Sequence, residues 1–66
     1  MYINKEKLDI ILARKIMTIK RLSVESGVSI VTIIRIRNGT QKARPETIGK
    51  IAKVLGCDVS DIVGEG

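Results

Sequence analysis

No histidine, tryptophan or phenylalanine occurs in the sequence, and cysteine and tyrosine occur once each, as Cys57 and Tyr2. Each scarcity removes a class of explanation. A lone cysteine cannot close an intramolecular disulfide framework, which points to a reducing, intracellular setting. Without histidine, a metal site would rest on scattered carboxylates, and no nucleophile and base pair is recognisable, so neither metal, cofactor nor catalysis is expected. With Tyr2 the sole aromatic, any core must be built from Ile, Leu, Val and Met. No apolar run approaches the roughly 18 residues of a membrane span. The start of the chain carries no signal-peptide pattern. The expectation is a cytoplasmic protein that neither spans nor enters a membrane, with no small-molecule ligand evident.

What remains is aliphatic and basic. An apolar share of 44% is too high for a disordered tail, and 66 residues lie near the lower limit for one core, so residues 1–66 are read as a single domain. So small a core would gain from dimerisation. Twelve Lys and Arg face seven Asp and Glu, a net charge of +5, which suits an acidic partner such as nucleic acid.

The hydrophobic spacing predicts helices throughout. Asn4 caps a first helix beginning near Lys5, with Ile3 and Leu8 placed as a hydrophobic staple. Leu8, Ile11, Leu12 and Ile16 form its inward face, leaving Lys5, Asp9, Arg14 and Lys15 largely outside it. Thr18 caps a second helix, Ile19 to Ser26, which Gly27 stops. The stretch "SIVTIIRIRNG", Ser29 to Gly39, resembles a strand by propensity, but its alternation is unclean and no partner strand is evident. As a helix it has a cap in Ser29, a stop in Asn38-Gly39, and a stripe of Val28, Ile33 and Ile36 to bury. Ile30, Val31, Ile34, Arg35 and Arg37 fall wholly or partly outside that stripe.

A polar loop leads to a fourth helix with Pro45 in its first turn and Ile48, Ile51, Ala52 and Leu55 inward. Gly49 is read as marking a close approach between helices, and Gly56 as the stop. Asp58 caps a short fifth helix in "VSDIV", followed by a loose tail, Gly64 to Gly66.

Two short helices joined through a glycine turn, with small Ser23 at the contact, form a helix-turn-helix pattern. Through "TIKRLSVESGVSIVTIIRIRNG", "ARPETIGKIAKVLG" and "VSDIV", the chain resembles the phage-repressor and Cro family of helix-turn-helix regulators (the XRE family) over about Leu8 to Val63. The resemblance implies an all-α, compact five-helix, lambda-repressor-like domain. It further implies a transcriptional regulator, expected to be a repressor, that binds double-stranded DNA as a homodimer with the helix at about 29–37 in the major groove.

By position, the resemblance assigns DNA contacts to Ser29, Ile30, Val31, Thr32 and Arg35, and phosphate contacts to Thr18 and Ile19. Thr40, Lys42 and Arg44 lie in the following loop, where cations and amides grip phosphates. Val59, Ile62 and Val63 are the implied dimer surface. Ile30 and Val31 depart from the polar residues common in the family, and suit the thymine C5-methyl, the one apolar feature of the major-groove edge. Arg35 fits either a bidentate guanine contact or a phosphate contact. Many members place Glu where this chain has Arg37, paired with an arginine where this chain has Leu12, so that pair is expected to be absent. The alternative function is a protein-interaction module, such as an antitoxin or accessory subunit, using exposed apolar residues of the third helix. Cys57 reads as a packing residue.

Overall fold

The computed structural model describes residues 1–64, and its elements follow the order β1 (Tyr2–Ile3), α1 (Lys5–Lys15), α2 (Ile19–Ser26), α3 (Ile30–Arg37), α4 (Pro45–Leu55), a single 3-10 turn (Val59–Asp61) and β2 (Val63–Gly64). Four α-helices are therefore present where five were expected. The segment after Gly56 is capped as expected: Asp58 and Asp61 form a reciprocal capping box, Asp58 accepting from Val59 at 2.9 Å. Only Val59–Asp61 are helical before Ile62 turns the chain into β2, which is too short for an α-helical nucleus.

Helix boundaries follow their caps. Asn4 Oδ1 accepts from the Lys7 amide at 3.0 Å, and Thr18 Oγ1 accepts from the Arg21 amide at 3.1 Å. Gly27 takes the left-handed conformation at φ 74° that ends α2. The turn into α3 is held by serines: the Ser23 hydroxyl donates to the Val28 carbonyl, and the Val28 amide donates to Ser26 Oγ at 3.3 Å. Ser29 occupies the cap position of α3 but its side chain makes no capping bond.

One aliphatic cluster joins the elements. Leu8 and Leu12 of α1, Leu22 of α2, Ile33 and Ile36 of α3, and Ile48, Ile51, Ala52 and Leu55 of α4 are buried together with Ile3, Ala43 and Ile62. Ile11, Met17, Ile19 and Val28 pack partly against it. α2 packs on both α3 and α4, so the helix-turn-helix rests on the fourth helix.

Three expectations are corrected. Ile16 does not continue the inward face of α1. The helix ends at Lys15, Ile16 adopts the left-handed conformation (φ 52°, ψ 48°), and its side chain is 90% exposed. The Met17 amide reaches back to the Leu12 carbonyl at 3.0 Å, so Met17 turns to the core in its place. Gly49 marks no close approach, because a Cβ there would meet nothing within 4 Å. Gly64 is no loose end.

β1 and β2 pair antiparallel, Tyr2 opposite Gly64 and Ile3 opposite Val63. A Cβ on Gly64 would stand 3.0 Å from Asn4 Cβ, so a larger residue there would have to push Asn4 aside. Glu65 and Gly66, the rest of the expected tail, lie outside the described residues. The same N-terminal strand holds the loop after α3: the Ala43 amide donates to the Met1 carbonyl at 2.7 Å, and the Met1 amino group donates back to the Ala43 carbonyl at 3.2 Å. Two-residue strands carry too little alternation to be read from sequence.

Candidate nucleic-acid interface

α3 is amphipathic by division of nearly identical side chains. Ile33 and Ile36 are about 1% exposed, whereas Ile30, Val31 and Ile34 are 39%, 51% and 42% exposed. Helical spacing sorts the outward residues into two rows, Ile30 with Ile34 and Val31 with Arg35, each pair one turn apart. Thr32 is half-buried beside them.

Beyond α3 the chain turns at Asn38 and Gly39 and bends at Thr40 and Gln41 before running irregularly to α4. Ala43 is buried, and its neighbours Lys42 and Arg44 are exposed. Together with Thr32, Ile36, Gln41 and Thr47 they line a recess of about 290 Å³ between α3 and the start of α4. Lys42 Nζ sits 5.7 Å from the Tyr2 ring centroid, a cation–π contact that anchors the loop to β1. Pro45 begins α4, and Arg44 at its cap position makes no side-chain capping bond. The Thr40 hydroxyl donates to the Arg35 carbonyl at 3.1 Å, closing the end of α3, so its proton is already engaged within the chain.

The ion pairs leave this face cationic. Among the described residues the pairs are Arg21 with Glu25, Lys50 with Glu46, and Arg37 with Asp9. None engages Arg35, Lys42 or Arg44. The Arg37–Asp9 pair is bidentate, both bonds 2.9 Å long, and ties α3 to α1. The pair expected to be absent, between positions 12 and 37, is absent, since Leu12 carries no charge; a different and unforeseen ion pair joins the two helices with the polarity reversed, arginine on α3 and the Asp9 carboxylate on α1. Asp9 precedes Leu12 by one helical turn minus a fraction, and so reaches the end of α3 from the rim of α1's buried face rather than from its centre.

Thr18 and Ile19 stand at the start of α2, but they differ. Thr18 is exposed, while Ile19 packs partly against the core. Ile62, expected at a dimer surface, is fully buried within this one chain; Val59 and Val63 pack partly against the core. Sequence reasoning missed Gln41 and Thr47 in the recess and Asp9 in the ion pair. The signal for Gln41 was its place between Thr40 and Lys42; for Asp9 there was only a charge at the edge of an apolar face.

On the opposite side, α1 and the 3-10 turn enclose a groove of about 580 Å³ that includes Ile10, Arg14, Lys15, Cys57 and Asp61. Burial pushes the Cys57 thiol above its ordinary value, and the Asp61 and Asp58 carboxylates add to that against the opposing pull of Lys15. Cys57 packs partly against the core. Among the described residues no three His, Cys, Asp or Glu side chains gather as metal ligands, and no helix is long and apolar enough to cross a membrane.

Two helices joined through the serine-held turn, the second presenting a largely aliphatic outward face with Arg35, followed by a loop that carries Lys42 and Arg44, occur here inside a longer pattern: residues 7–64 match the Cro/C1-type helix-turn-helix DNA-binding domain. The chain belongs to this family. Comparison with curated proteins and with solved structures gave no match. Membership in the Cro/C1-type family supports DNA binding. The Cro/C1-type match runs from Lys7 through β2, and so takes in α4 and the C-terminal turn as well as the helix-turn-helix itself.

Proposed function

We propose that this Cro/C1-type domain is a sequence-specific transcriptional regulator of double-stranded DNA, with α3 seated in the major groove. The observation that carries the reading is the juxtaposition of α3's outward rows with three cations, Arg35, Lys42 and Arg44, none held by a carboxylate among the described residues. Phosphate contacts from Lys42, Arg44 and the start of α2 at Thr18 and Ile19 fix the register, while Ser29, Ile30, Val31, Thr32 and Arg35 meet base edges. Thr40 braces the end of α3, its amide and its hydroxyl both donating to the Arg35 carbonyl. A domain lodged in the groove excludes other proteins by occupancy, which is repression.

The proposed working unit is a homodimer on two half-sites about 34 Å apart. With Ile62 committed to the core, Val59 and Val63 remain as its candidate contacts. Sedimentation of the free protein and on a two-site duplex measures this directly; one protomer per duplex at saturation would dismiss the dimer.

The test of the main reading is selection from a random duplex pool at moderate salt. A recovered consensus supports it, and a pool that stays random overturns it. The exposed row of Ile30 and Ile34 beside Val31 also suits a protein partner. Replacing Ile30 and Val31 with Ser separates the readings, since loss of a protein partner with DNA preference intact would favour the interaction module.

A further inference from the structure

The DNA-facing surface of α3 carries an unusual imbalance. Ser29 and Thr32 bring hydroxyls to its edge, but of the four exposed residues within the helix, Ile30, Val31, Ile34 and Arg35, only Arg35 can donate a hydrogen bond, and none of the three aliphatic side chains can donate or accept one. They cannot distinguish bases through the donor and acceptor pattern of the groove edge. What they can register is an apolar group, and the pyrimidine C5-methyl is the one such group that the edge presents. Thymine has it, and so does 5-methylcytosine, at the same ring position.

Several features direct this surface to DNA rather than to another occupant. Val31 shares its row with Arg35, one turn away. Lys42 and Arg44 line the recess together with Thr32 of the same helix, the residue next to Val31, so a polyanion that meets those cations lies alongside the N-terminal half of α3. The pose is fixed from behind: Ile33 and Ile36 are locked in the core, and Arg37 is gripped by Asp9 through two bonds of 2.9 Å.

We infer that Ile30 and Val31 make this domain a reader of the C5-methyl itself, so that 5-methylcytosine substitutes for thymine at the positions they touch and cytosine methylation switches those sites on. The inference rests on the DNA-binding reading above. It differs from a plain thymine preference because neither side chain engages the exocyclic oxygen or amino group that separates thymine from 5-methylcytosine.

The test starts from a duplex recovered by random-pool selection. Each thymine is replaced in turn by deoxyuridine, which pairs identically and lacks only the methyl. At positions facing Ile30 and Val31, binding should weaken by about fourfold per methyl removed, the value of one buried methyl-sized group. At those positions a cytosine–guanine pair should bind weakly, and its 5-methylcytosine counterpart should recover most of the lost affinity. In Ile30→Ser/Val31→Ser, checked for native helicity by circular dichroism, thymine and deoxyuridine duplexes should bind alike. A selected site insensitive to deoxyuridine at every position overturns methyl reading while leaving DNA recognition standing. So does a 5-methylcytosine pair no better than cytosine, or a serine variant that keeps its sensitivity. Failure to enrich any sequence overturns the DNA-binding reading, and methyl reading falls with it.

Discussion

α3 and α4 are built from similar side chains and use them differently. In α4 the aliphatic residues Ile48, Ile51, Ala52 and Leu55 all lie in the core, with Val54 packed partly against it. In α3, eight residues long, Ile33 and Ile36 satisfy the core and Ile30, Val31 and Ile34 are left over. A helix whose burial is complete is a structural beam, and one that carries apolar surface beyond what the core needs has that surface available for something outside the chain. Composition does not separate the two cases; the angular position of each residue does.

The widest separation is expected inside α3 itself. Ile33→Ala should cost about 2–5 kcal/mol, as should Ile51→Ala in α4, because each leaves a cavity in a cluster with no aromatic volume to relax into it. Against the few kcal/mol that hold a domain of this size, either change should abolish the cooperative urea transition. Ile34→Ala, one residue away, should shift stability by no more than about 0.5 kcal/mol. Comparable losses at positions 33 and 34 would erase the distinction between the faces.

DNA affinity should reverse that ranking. Arg35→Ala is expected to leave the unfolding midpoint in place and remove about 1–3 kcal/mol of preference at one base pair. Lys42→Ala or Arg44→Ala should weaken cognate and random duplexes alike and reduce the salt dependence by about one counterion. Quantitative gel shifts over a range of salt concentrations distinguish these, and an equal loss on random DNA from Arg35→Ala would make it a phosphate contact.

Smaller effects sharpen the comparison of how the two helices are held. Asp9→Asn should destabilise by about 1 kcal/mol, since the ion pair it breaks is bidentate but partly exposed. Asp9→Arg should cost more by facing Arg37, and adding Arg37→Glu should recover part of the loss. A double-mutant cycle without coupling would deny the pair any hold on α3. The smallest effect lies in α4, where Gly49→Ala should raise stability by about 0.4–1 kcal/mol, because space is open there and alanine restricts the unfolded chain. A fall in melting temperature would restore the expectation of a close approach.

The helices were legible because their ends are chemically marked: Asn4, Thr18, Gly27 and Gly56 each act where their side chains or their freedom predict. The inward faces of α3 and α4 followed from spacing. Ile16 misled because periodicity counts a residue that the turn has already rotated away, and an isoleucine gives no warning of a left-handed conformation. Gly49 misled because glycine signals absence of a side chain, whether or not anything needs the room. The reversed ion pair escaped because a partner was sought at Leu12, whereas a carboxylate at Asp9 reaches the same helix end from another angle. For the interface, the outward rows and the cations of the loop were visible in sequence; the recess that adds Gln41 and Thr47 required the fold, since it joins residues from α3, the loop and α4.

The strand pair has a kinetic consequence. Tyr2 and Gly64 meet across nearly the whole length of the chain, so their bonds close the largest loop available, while the helices form from neighbours in sequence. β1 is therefore expected to dock last during folding and to detach first in native-state fluctuations, exchanging its amide hydrogens ahead of those in α4. Because the same strand clasps Ala43, each detachment unfastens the loop that carries Lys42 and Arg44. The lifetime of that clasp is then the time for which Lys42 and Arg44 keep a fixed place beside α3.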